Sequence, residues 1–373
     1  MRPVFKLDPT NTLSYAPDPT PYWAHNPSSA SLADPLKLWP HEYDSASENR
    51  RWEDALTWED VPGFHRSLKD CTSYEPCAVN YAFCAMYDYI PCYYEKDTKV
   101  LLFDVNDSPD ASAAHQRKKR NFLAAMHYAV GYPTQHEMKN IGISYGTFSE
   151  QVRPTIYSLA RHVNFLDPAL RLWEYNHTEF HHERVLWIKD GAPLTICCPK
   201  NRFLQRCVRS GKYKEYVLKF DYTITMCGFP IDYNGLFMGV RHDSAQHWYA
   251  KEFLAQLYPF EYGMGDKAYV GVPHMYCEHK KPTGGELTCE ESMDNLFIQH
   301  YRGRNEHLIR EMRSRKKCFA TAWRGSFSLL SAITRFAAHM TGLQERMKGP
   351  RYDVYGPWPV CSENVFRLYG KTA

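Results

Sequence analysis

Four acidic residues stand where their neighbours put strand ends or a later helix. Asp190 follows Val185-Leu-Trp-Ile-Lys, Asp243 follows Met238-Gly-Val-Arg-His, Asp266 stands in Gly265-Asp-Lys-Ala-Tyr, and Glu306 stands in Arg304-Asn-Glu-His. Loops leaving the strand ends of an open α/β sheet form its functional crevice. Carboxylates gathered there share hard, oxygen-seeking cations such as Mg²⁺ or Mn²⁺. Two such ions, about 3.5–4 Å apart, would clamp a phosphodiester, one activating water or a 3′-hydroxyl and the other stabilising the leaving oxygen. Taken singly, each Asp fits a turn or a helix cap as well. Only the set points to metal chemistry.

Strands must carry the first of these acids. Val185-Leu-Trp-Ile, residues 216–226 with partial alternation, and Leu236-Phe-Met-Gly-Val read as three neighbouring strands. Residues 228–235 are rich in turn formers and suit a hairpin link. A helix is expected over residues 245–257, a fourth strand near residues 260–264, and a largely helical stretch beyond.

Residues 1–103 divide into a Pro-rich arm, whose composition disfavours helices and strands, and a Cys- and Tyr-rich stretch from Cys71 with no assigned role. Residues 115–175 read as a helical unit. Phe122, Met126 and Val130 keep helical spacing, Thr134 and Glu137 have capping-box spacing, Gly142 ends a short helix, and Ser144 caps the next. That helix packs Phe148, Val152, Ile156 and Leu159 on one face, with a kink expected at Pro154. As a helix-turn-helix it would bring Tyr145, Thr147 and Arg153 to DNA. An all-helical packing unit explains the pattern equally well.

In this order, Lys189-Asp-Gly-Ala-Pro-Leu, Arg241-His-Asp-Ser-Ala, Gly265-Asp-Lys-Ala-Tyr and Arg302-Gly-Arg-Asn-Glu resemble the Harbinger-type DDE transposase domain. The resemblance runs from about residue 188 to 330. It implies an α/β, RNase-H-like mixed sheet flanked by helices over residues 180–345, an upstream helix-turn-helix-like unit, and a tail at 346–373. It implies that Asp190, Asp243, Asp266 and Glu306 lie in or beside a Mg²⁺ or Mn²⁺ site that cuts and joins DNA. Asp190 would bridge both ions and Glu306 would close the second site. An RNase-H arrangement expects its second carboxylate after the fourth strand, where Asp266 falls rather than Asp243, so either one ligates or supports. A separate DNA-binding accessory protein and a homo-oligomer stay open as partners. Arg241, Ala268 and Asn305 depart from the family pattern. A catalytically inactive, transposase-derived DNA-binding or scaffold protein is therefore the alternative, ahead of a metal-dependent hydrolase of nucleotides.

The basic residues Arg302, Arg310, Arg313 and Lys316 accompany Glu306 and would hold DNA phosphates, unless they form a solvated helix face balanced by Glu311. Lys200, Arg202, Arg206, Arg209 and Lys212 offer phosphate contacts or a surface loop. Gln116-Arg-Lys-Lys-Arg is of nuclear-localisation type and points to the nucleus. A net charge of +3 gives no global attraction to polyanions, so any such partner is held locally. The 12 cysteines are unevenly spaced and expected as thiols, without the tight pairs of zinc sites; His177, His181 and His182 are expected to be polar surface or core residues. The apolar runs are too short for a membrane span.

Overall fold

A computed structural model describes residues 72–95, 100–102, 111–171, 184–258, 261–314, 316–349 and 351–352. The Pro-rich arm to residue 71, the three histidines at 177, 181 and 182, Arg315, and the tail beyond 352 lie outside the described residues.

Among the described residues, the longer helices before the main sheet are α1 (Pro76–Met86), α2 (Ala111–Gly131), α3 (Gln135–Asn140) and α4 (Arg153–His162). Between α1 and α2 lies a short antiparallel pair, β1 (Tyr93–Glu95) and β2 (Val100–Leu102). The capping box forms in both halves: Glu137 N donates to Thr134 Oγ1 at 3.3 Å, and Thr134 N donates to Glu137 Oε2 at 2.6 Å. Gly142, at φ +77°, turns the chain out of α3, and Ser144 caps the following helical turn. A π-helical turn at Phe148–Val152 leads into α4, and Pro154 sits in its first turn, where a missing N–H costs little. The Gln116-Arg-Lys-Lys-Arg run lies within α2, where Lys118 and Lys119 are buried.

Five strands make the main sheet: β3 (Arg184–Thr195), β4 (Val217–Thr225), β5 (Pro230–Met238), β6 (Glu261–Gly265) and β7 (Met275–Cys277). Their order is β5-β4-β3-β6-β7, with β3, β4 and β5 antiparallel and β3, β6 and β7 parallel. After β3 come α5 (Arg202–Val208), and after β5 α6 (Asp243–His247) and α7 (Lys251–Leu254). After β7 come α8 (Cys289–Ser314), α9 (Lys317–Ala320) and α10 (Phe327–Lys348). This mixed sheet flanked by helices is the α/β, RNase-H-like arrangement expected. One continuous core joins α1, α2 and α4 to the sheet through α10, whose Leu330, Ile333, Phe336 and Met340 are buried.

Two strand expectations are corrected. The link placed at residues 228–235 is mostly strand: Thr225 N already bonds Phe229 O, Gly228 takes φ +101° in the tight turn, and β5 begins at Pro230 with Ile231 and Tyr233 buried. The strand carrying Asp190 does not end there. It runs on to Thr195 because β4 pairs its far half, whereas β6 pairs only residues 184–188. Strand β7 was not foreseen, being three residues without alternation.

Gly263 on β6 lies under the Trp187 ring, and a Cβ there would stand 2.1 Å from the indole. Trp187 is itself buried, so neither backbone nor ring can yield cheaply. Gly263→Ala is expected to cost about 3 kcal/mol or more, read as a fall in denaturant midpoint at unchanged m-value. A midpoint within error of the parent would refute this packing.

Candidate functional site

Asp190 sits where the parallel half of the sheet stops. Ile188 pairs with Met264, so β6 ends beside Asp190, and Asp266 follows at once, its Oδ1 accepting from Ala268 N at 2.8 Å. Glu306 arrives from α8. The preceding residue, Asn305, is fully buried and donates from Nδ2 to Ile188 O at 3.2 Å and Tyr222 O at 2.8 Å. Those two bonds fasten α8 across β3 and β4, two residues from Asp190. A helical turn before Glu306, Arg302 Nη2 reaches Glu306 Oε1 at 3.2 Å and Asp190 Oδ2 at 3.3 Å, while Nη1 bonds Glu278 Oε1 at 2.8 Å.

The electrostatics follow from this crowding. Burial lifts the Asp190 carboxyl to about 6; Arg302 opposes the rise, and Asp266 and Glu306 add to it. Burial works against charge on Arg302, yet Asp190, Asp266, Glu278 and Glu306 together hold its guanidinium above its ordinary pKa. Asp190, Asp266 and Glu306 thus surround one cation, and that cation belongs to the chain.

Asp243 stands apart from this group. It opens α6 and accepts from Lys219 Nζ at 3.0 Å and Gln246 Nε2 at 3.2 Å. It still lies against β3: a Cβ at Gly191 would stand 3.7 Å from Asp243 Cγ and 3.3 Å from Asp221 Oδ1. The glycine of the Asp-Gly pair lets both carboxylates approach the backbone beside Asp190.

Sequence reading missed Asp221 and Tyr269. Asp221 is fully buried on β4 opposite Gly191, 3.7 Å from the equally buried Lys189. Its signal was a carboxylate in the middle of an otherwise strand-forming run. The Tyr269 hydroxyl is buried without a hydrogen-bond partner and feels Asp221, Asp190, Asp243 and Asp266. Burial raises the Asp221 carboxyl to about 7, against Lys189 and with help from Asp243, Asp232 and Asp190. A raised carboxylate pKa favours the folded state most below the unfolded value near 4, and the gain is lost as pH rises through about 7. Between those limits thermal stability should fall by up to roughly 3–4 kcal/mol on this account. Asp221→Asn should flatten the profile; an equally steep profile in that variant would refute the assignment.

The expected DNA contacts divide. Tyr145 is exposed, Thr147 is tied to Ser144 Oγ, and half-buried Arg153 lies 5.6 Å from the Phe148 ring, lining a cavity of about 140 Å³ with Tyr128 and Tyr145. Arg310 is exposed one turn beyond Glu306, and Arg313 is half-buried. Two expectations are corrected. Lys316 is buried, donating to Met312 O and lying 4.7 Å from the Tyr74 ring, so it has left the basic face. Arg302 is committed to the carboxylates rather than free for phosphate. Every described cysteine is a free thiol, and no described helix is long and apolar enough to cross a membrane.

Residues 190–343, beginning at Asp190 and taking in Asp243, Asp266 and Glu306, match the family described as DDE superfamily endonuclease. No curated protein and no solved structure matches the chain.

Proposed function

With residues 190–343 similar to DDE superfamily endonucleases, we propose that this chain is a transposase or endonuclease of the Harbinger kind that cuts and joins DNA phosphodiesters with divalent metal. The observation that carries this reading is the convergence of Asp190 and Glu306 on one cationic nitrogen, with Asp266 at the adjoining strand end.

The donor set fits a hard cation: three carboxylates with no thiolate or imidazole among them, already sharing one positive charge. Among the described residues, no group of three or more His, Cys, Asp or Glu side chains is arranged to hold a metal ion. Arg302 must therefore leave Asp190 and Glu306 before they can ligate one, and Glu278 is placed to keep it. Asp190, Asp266 and Glu306 would hold the ions, which when bound activate the attacking hydroxyl and stabilise the leaving oxygen. The chain itself supplies position and dryness. Asn305 fixes α8 on the sheet, the side chain of Asp190 is 13% exposed, and Gly191 admits Asp243 and Asp221 behind it. Asp243, held by Lys219, would support the site rather than ligate. Arg310 and Arg313 would take phosphates, and Tyr145, Thr147 and Arg153 would take duplex DNA upstream. A nuclear location, an accessory DNA-binding protein and a homo-oligomer belong to the same proposal.

One observation favours the alternative of a catalytically silent DNA-binding scaffold: Arg302 already neutralises the carboxylates. Calorimetric titration with Mn²⁺ separates the two. Saturable binding by the parent, lost in Asp190→Ala and Glu306→Ala, is the expected result; a parent that takes up no Mn²⁺ selects the scaffold.

A further inference from the structure

A second surface lies beside the carboxylates. Between Lys200 and Lys214 the chain has six cations and no acid, and all six are exposed. Helix α5 lies in this stretch, and the loop after β5 is joined to it by the bond from Val240 N to Cys207 O at 3.2 Å. One helical turn before Cys207 stands Phe203, 72% exposed. On the other side of that bond, Trp248 and Tyr249 are 46% and 54% exposed, and the Arg241 guanidinium covers the Tyr249 ring at 4.5 Å.

The surface is continuous with the site. Lys219 Nζ donates both to Arg241 O at 2.9 Å and to Asp243 Oδ1 at 3.0 Å, and Asp243 lies against Gly191, next to Asp190. Lys212 also feels the charges of Asp266 and Asp243.

We infer that this basic and aromatic surface, made of α5, Arg241, Trp248 and Tyr249, binds an unpaired DNA strand and leads its end to the carboxylates. The inference rests on the DNA-cutting reading and names the form of the substrate. The chemistry is twofold. Phosphates demand cations, which this stretch supplies without competing acids. Exposed aromatic faces gain stabilisation when they stack on something flat, and a base offers its face only when unpaired. A closed duplex would satisfy the arginines and leave Phe203, Trp248 and Tyr249 in water.

The test uses the full chain, a labelled homothymidine strand of about 20 nucleotides, and a blunt duplex of equal length, with affinities read by fluorescence anisotropy. Trp248→Ala combined with Tyr249→Ala should weaken strand binding about tenfold or more while changing duplex binding less than about twofold. Arg206→Gln with Arg209→Gln should reduce the slope of log affinity against log salt by roughly 1 for the strand. Unchanged strand affinity in the aromatic variant, or equal losses for strand and duplex, overturns the inference; so does a parent that binds no strand. Failure of the nuclease reading shows differently. Strand binding that needs the aromatics, without metal-dependent cleavage, upholds the surface and rejects the enzyme. Cleavage that persists with no dependence of strand binding on the aromatics does the reverse.

Discussion

Asp190→Asn is expected to lower metal-dependent strand cleavage by about three orders of magnitude or more, the scale on which loss of a group acting in the transition state is felt, while leaving the metal-free protein no less stable. The second half of this result is the more diagnostic. Burial raises the Asp190 carboxyl to about 6, so at neutral pH the folded chain holds a charge it disfavours. The shift from the ordinary value, with the opposing charge of Arg302 already included, corresponds to about 3 kcal/mol. Asn keeps the shape and can still accept from Gly191 N, as Asp190 Oδ1 does at 2.9 Å. As a metal ligand, Asp190 buried in this way would be a stability cost retained for function. Cleavage assays and thermal denaturation at pH 7.5 and pH 5 check both halves. Full activity in the variant would remove Asp190 from the site, and a large loss of stability would make it a structural residue.

Arg302→Met should destabilise the metal-free protein by about 3 kcal/mol, because it strips the counter-charge from the largely buried Asp190 and Glu278, with the half-exposed, water-screened Glu306 adding little. For a domain of this size that is a fall in Tm of roughly 6–12 °C. Mn²⁺ should restore much of it, since an ion bound only by the folded state stabilises by mass action, and the variant should bind Mn²⁺ more tightly than the parent, where Arg302 competes. A fall in Tm that saturating Mn²⁺ leaves untouched would mean that these carboxylates form no cation site and that Arg302 is their permanent partner.

The ordered acids, the strand-rich middle and the helical capping signals were legible because each is local. Asp190, Asp266 and Glu306 stood out by type and by their neighbours; the Thr134 and Glu137 box needed only a spacing of three. Asn305 shows the limit. As a departure from the family pattern it counted toward the inactive alternative, yet its amide binds two strand carbonyls and ties α8 to the sheet. Lys316 failed in the other direction, since charge alone placed it on the surface and packing against Tyr74 buried it. Neither outcome is visible without knowing what lies across the interface.

The sequence by itself determined the chemistry available: an acid-rich, strand-borne set and a run of cations between Lys200 and Lys214. Side-chain type and short-range periodicity are properties of the chain, and they survive without tertiary contacts. Which acids meet was decided only by the fold. The parallel pairing of β3 with β6 brings Asp266 to Asp190, helix α8 brings Glu306 and Arg302, and the hairpin of β4 and β5 leaves Asp243 with Lys219. Strand order and helix docking join residues far apart in sequence, and the low-dielectric interior they create turns three ordinary acids, Asp190, Asp266 and Glu306, into one coupled site.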